Sequence, residues 1–182
     1  MLSQICFLRR TIVYIPTLSQ IENGPHWISE PIALVSVSET APLKQAFEST
    51  IARGNPLIKP PPRYHEKEPL LAKAAGLKTW STFLRGASCW EIYEHDGMYR
   101  IMKGMRRRGG WVPDTQNVIK LRPGSTIGDL CDRMIAILQA YAGLADPAPD
   151  GAGPAIGPTR IVGKIPKNWN VLRGETAISD IK

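Results

Sequence analysis

The chain has 182 residues, 43% apolar and 21% charged, with 23 basic groups against 16 acidic ones for a net charge of +7. That length suits one domain, and a body of about 145 residues buries roughly 70% of its unfolded surface, enough for a core without staples. Cys6, Cys89 and Cys131 form neither a CxxC pair nor an even framework, which argues against a zinc ribbon or a disulfide scaffold. The longest apolar stretches, such as Met134 to Leu138, fall far short of the ~20 residues of a membrane helix.

At the N-terminus an apolar patch precedes Arg9 and Arg10, the reverse of the order in a signal peptide, so a soluble protein of a reducing cytoplasm is expected. Thr11 to Ile15, closed by Pro16, and Ile32 to Val37 read as strands. Leu43, Ala46, Phe47, Thr50 and Ile51 then recur at helical spacing, with Thr40 as the expected N-cap and Gly54 just past the end. Asn55 to Arg63 holds four prolines and reads as an extended surface connector. A short helix over Glu66 to Ala75 stops at Gly76, a left-handed C-cap followed by apolar Leu77. Thr79 caps a second short helix carrying Trp80, Phe83 and Leu84.

Ser88 to Lys103 gives the clearest local signal, two strands about an Asp96-Gly97 turn of type I′. That turn sets His95 opposite Met98, Tyr93 opposite Arg100 and Ile92 opposite Ile101. Trp90, Ile92, Tyr99 and Ile101 then share a core face; Cys89, Glu91, Tyr93, Arg100 and Met102 share a mixed face that could be presented to a partner. Asn117 to Arg122 alternates as a third strand. Thr126 and Asp129 form a capping pattern ahead of a stripe of Ile127, Leu130, Cys131, Met134, Ile135, Leu138 and Tyr141, a helix running to about Ala142. From Asp146 to Pro166 nine of 21 residues are Gly or Pro, the composition of a linker or unstructured tail. Residues 1–30 are thus read as an N-terminal strand and loop, 31–144 as the α+β body and 145–182 as a Gly/Pro-rich extension. The expected fold is one α+β domain, an antiparallel sheet of about five strands with helices mainly on one face.

Enzyme chemistry finds little support. His26, His65 and His95 show no ligand spacing, and Cys89 and Cys131 sit on apolar runs. Glu91 and Glu94 point to opposite faces of a strand, while Asp129 suits the first turn of its helix. Gly104 and Gly109-Gly110 lie in no phosphate-binding motif. No catalytic residue, metal site or cofactor is expected.

Charge is the sharper feature. Five of the seven excess positive charges fall within residues 63–110, and Arg100, Lys103, Arg106, Arg107 and Arg108 meet no acid between Met98 and Gly110. Arginine forks pair bidentately with carboxylate or phosphate, and the nearby Trp111 offers a base-stacking or anchoring ring. The candidate partner-binding set is therefore Glu91, Tyr93, Arg100, Lys103, Arg106, Arg107, Arg108 and Trp111. A solvated inter-strand loop is the plain alternative. Nucleic acid is a second partner class for segment 100–111, weakened because no recognition helix, RNP motif or GxxG clamp accompanies it.

The order of elements from Ile32 to Ala142, and in residue detail Gly76-Leu77-Lys78-Thr79-Trp80-Ser81-Thr82-Phe83, then Cys89-Trp90-Glu91-Ile92, the Asp96-Gly97 turn and Tyr99-Arg100-Ile101, resembles immunity proteins of contact-dependent growth inhibition and related polymorphic toxin systems. Their corresponding stretch is a Gly-x-Lys-[Ser/Thr]-x-x-x-[Phe/Leu] segment, a Cys-containing strand, a hairpin and a closing helix. The N-terminal 30 residues and the Gly/Pro tail have no match in that pattern. The resemblance implies a small α+β protein without catalysis that binds a cognate toxin domain and occludes its active site or substrate surface. Its toxin contacts differ between subgroups, so the site residues named above stand on their chemistry alone.

Overall fold

In the computed structural model, which describes residues 2–59, 70–107 and 110–143, two antiparallel meanders meet side by side in one sheet. The first is β1 (Ser3–Arg9), β2 (Ile12–Ile21) and β3 (His26–Ser36); the second is β5 (Ala87–His95), β6 (Met98–Arg107) and β7 (Gly110–Lys120). Antiparallel pairing of β1 with β5, from Ser3 opposite Tyr93 to Arg9 opposite Ala87, joins them in the order β3-β2-β1-β5-β6-β7. A two-residue strand, β4 (Leu57–Ile58), runs parallel to the end of β2 and brings the sheet to seven strands, against the five or so expected.

Residues read as an N-terminal strand and loop thus supply two strands near the middle of the sheet. Ile5, Cys6, Phe7 and Leu8 are all buried because β1 has a strand on either side and helices above and below. β2 continues through Pro16 instead of stopping there, because a register shift against β3 between Pro16 and Thr17 absorbs the residue that cannot donate to the ladder.

Two long helices cover one face. In α1 (Thr40–Arg53), Leu43, Phe47 and Ile51 point inward; its N-cap is Glu39, with Thr40 the first helical residue, and Gly54 ends it at φ +69°. α4 (Ile127–Tyr141) begins at Thr126 with both halves of the expected capping box in place, and Leu130, Cys131, Met134, Ile135 and Leu138 are buried against α1 and the sheet. Trp90, Ile92 and Ile101 from the second meander complete this core.

The other face is partly covered by α2 (Leu70–Ala74) and α3 (Trp80–Arg85), which bury Leu71, Phe83 and Leu84 against Phe7, Tyr14, Cys89 and Trp111. Thr79 caps α3, its hydroxyl accepting from the Thr82 amide, and Gly76 takes φ +66° after α2. The expected helix over Glu66 to Ala75 is seen from Leu70; its earlier residues, residues 60–63 of the proline-rich connector and the Gly/Pro tail lie outside the described residues, while Leu57 and Ile58 of that connector form β4. Among the described residues no helix is long and apolar enough to cross a membrane.

Candidate functional site

The hairpin register is the one its turn dictates. Asp96 and Gly97 take φ +52° and +66°, and Tyr93 faces Arg100 while Ile92 faces Ile101. Glu91, Tyr93 and Arg100 accordingly share one face, yet that face is not freely presented. Glu91 lies between Ile5 of β1 and Met102 of β6, and is half-buried with its Oε1 sealed from water and without a hydrogen-bond donor. Desolvation pushes its carboxyl up to about 7. Arg100 is also half-buried; its guanidinium carbon stands 5.7 Å from the centre of the Tyr93 ring.

Trp111 requires a correction. The sequence reading offered it to a partner, but it is 2% exposed and belongs to the chain's own core, its ring 5.3 Å from Phe7 and 6.0 Å from Trp80. Gly104 makes room for it: a Cβ there would come within 3.0 Å of the Trp111 Cβ and 3.2 Å of the Cys89 Cβ. An aromatic three residues beyond a basic run looks like an anchor in sequence. Here the antiparallel return of β7 turns it inward, opposite Arg106.

The basic run itself is not a loop. Arg106 and Arg107 belong to β6, and Arg108 lies outside the described residues. Lys103 and Arg106 are exposed and point to opposite faces. Lys103 Nζ sits 4.1 Å above the Tyr141 ring at the end of α4, and Arg106 Nη1 donates to the Arg85 carbonyl, 3.5 Å away, at the end of α3. Beside Lys103, β7 bulges: Met102 pairs with Val118 but Gly104 with Pro113. The Asp114 carboxylate closes that bulge by accepting from the Gln116 and Asn117 amides and the Asn117 side chain, and these bonds, with Lys103 nearby, lower its pKa.

Folding adds basic groups that sequence proximity did not reveal. Arg9 ends β1, Arg10 forms the β1–β2 turn, and Arg85 ends α3; all three reach the end of the sheet where Lys103 and Arg106 emerge. Arg9 Nε is sealed from solvent without a hydrogen-bond partner, close against Gly86. Between the Arg10 turn, Gly86 and the end of α4 opens a cleft of about 430 Å³. On its wall Ser88 Oγ donates to the Tyr141 hydroxyl at 2.9 Å, which with Lys103 lowers the tyrosine's pKa. The convergence comes from the β1–β5 pairing, which puts Arg9 opposite Ala87 and leaves no signal in local spacing.

Among the described residues no group of three or more His, Cys, Asp or Glu is placed to hold a metal ion. The thiols are buried, and desolvation raises the pKa of Cys6 and Cys89 and pushes that of Cys131 up to about 12, the opposite of a nucleophile's environment.

No protein-family model and no curated protein matches the chain. Among solved structures, the fold is similar to a protein of unknown function from Neisseria meningitidis, with a TM-score of 0.57 and 13% identity over 77% of this chain and 94% of that one. It is also similar to a chain of the CdiA-CT/CdiI toxin and immunity complex from Yersinia pseudotuberculosis, with a TM-score of 0.55 and 12% identity over 78% of this chain and 96% of that one. What this chain shares with both is the α+β fold of a helix-covered antiparallel sheet.

Proposed function

We propose that the protein is an immunity protein, which binds a cognate toxin domain of a contact-dependent growth inhibition system and occludes its active site or substrate surface. The observation that carries this reading is the similarity in fold, over more than three quarters of the chain, to a chain of a toxin and immunity complex. The residues agree with a binder: exposed cations gathered at one end of the sheet, where interface arginines pair with acidic groups of a partner and steer its approach.

The contact surface is centred on Lys103 and Arg106, with Arg107 next in the strand and Arg108 beyond it, and extends along the hairpin to the half-buried Tyr93 and Arg100, while the desolvated Glu91 carboxyl lies beneath it. Trp111 supports this surface from within instead of touching the partner. Such a surface suits a toxin with an acidic patch or exposed active-site carboxylates. A stable complex of this kind buries about 1,600 Å² in total.

Co-expression with the toxin domain encoded by the adjacent upstream reading frame tests the reading. The two proteins should co-purify, and cells making both should survive where cells making the toxin alone do not. Growth arrest despite co-expression would overturn it.

A further inference from the structure

The cleft at the end of the sheet has chemistry that the fold does not require. Arg10, Arg85 and the Ser88–Tyr141 hydroxyl pair line it beside apolar Leu8 and Ala87, with one Arg85 nitrogen donating to Thr82 Oγ1 at 3.3 Å, and none of its eight lining residues is acidic. Part of this charge has a structural use. Arg85 stands in the last turn of α3, and Arg106 bonds that helix's terminal carbonyl, so both offset the negative end of its dipole.

Arg10 has no such use. It is exposed, takes φ +57° at the β1–β2 turn, and makes no hydrogen bond or ion pair among the described residues. A left-handed conformation is strained for a side chain like arginine and favours Gly or Asn. An arginine at such a position, in the lining of a cleft that a second arginine also lines, is a group placed for a ligand. Arg9, its Nε buried and unpaired beside Gly86, does not line the cleft but adds positive charge close to it.

We infer that this cleft receives the carboxylate side chains of an acidic segment on the partner protein. Two planar forks match carboxylates bidentately, the hydroxyl pair supplies a further donor, and the apolar wall suits the short stem of Glu or Asp. A nucleic acid fits less well. Successive bases stack on successive rings, and among the lining residues only Tyr141 is aromatic, with Lys103 4.1 Å over its ring and Trp90 in an edge contact at 5.1 Å. The inference rests on the proposed function only in taking the ligand to be part of a protein.

The full chain is titrated with a labelled oligoglutamate peptide and, separately, with an oligothymidylate of equal charge. Amide resonances of Gly86, Ala87 and Ser88 should move with oligoglutamate. Arg10→Asn and Arg85→Gln should each weaken its binding about tenfold, the loss of one charge-assisted hydrogen bond. Arg10→Asn should also raise the Tm, a combination that a purely structural arginine would not produce. Shifts no larger at the cleft than elsewhere, undiminished binding by both variants, or tighter binding of oligothymidylate would each overturn the inference. If the toxin domain co-purifies equally well with both variants, the cleft assignment falls and the proposed function stands. If it never co-purifies while the cleft behaves as expected, the proposed function falls alone.

Discussion

Glu91 is the residue at which charge and burial conflict most directly. Its carboxyl is raised from 4.5 to about 7 by desolvation, so the folded state holds a proton that the unfolded chain has already released. The stability this contributes is fully present below pH 4.5 and is lost as pH rises through 7. The Tm should therefore decline across that window, and Glu91→Gln should flatten the decline and melt higher than the parent at pH 8; an unchanged slope would contradict the burial of this carboxyl. Trp111 gives the complementary case. Trp111→Ala should cost about 3–5 kcal/mol in urea unfolding, as emptied aromatic core sites do, and Gly104→Ala about 1–3 kcal/mol because the added methyl meets the Trp111 and Cys89 Cβ atoms. In sequence both residues looked available: alternation tells which side of a strand a residue takes, but not what lies on that side. Whether the mixed hairpin face was open depended on β1, β7 and α3 arriving from elsewhere in the chain.

Elements with local causes were legible. The Asp96-Gly97 turn fixed the β5–β6 register pair by pair, and the Thr126–Asp129 box fixed the start of α4. Thr126→Ala should accordingly cost about 1 kcal/mol, measured by thermal or urea unfolding, since it removes the hydroxyl that accepts the Asp129 amide. By contrast β1 was missed: its run of Ile5, Cys6, Phe7 and Leu8 is apolar on both faces, without the alternation that marks a half-exposed strand. The length of β2 was missed for a related reason, because Pro16 is a breaker by itself and tolerated only where the β2–β3 register slips. The basic cleft depends on both of these strands, so most of it was out of reach of a reading by segments.

For the whole molecule, the two cores lie on opposite faces of one sheet and share its central strands, Cys6 and Leu8 facing one and Ile5 and Phe7 the other. Phe7 of β1 meets rings from both α3 and β7, Phe83 at 5.7 Å and Trp111 at 5.3 Å. Loss of either core should therefore carry the other with it. Urea unfolding followed by tryptophan fluorescence and by far-UV circular dichroism should give one coincident transition; two separated midpoints would show that the meanders unfold independently.

The pairing of β1 with β5 also governs the order in which the fold can be assembled. Each meander is built from neighbours in sequence and can close as soon as its three strands exist, whereas the seam between them waits until residues 10–86 have been made. At synthesis rates of about 5–20 residues per second, the inner edge of β1 spends several seconds with its amides and carbonyls unpaired and its apolar side chains open on both sides. In that interval it is a template for any other extended chain. Closure of this seam across a long loop, more than formation of either hairpin, should set the pace of folding.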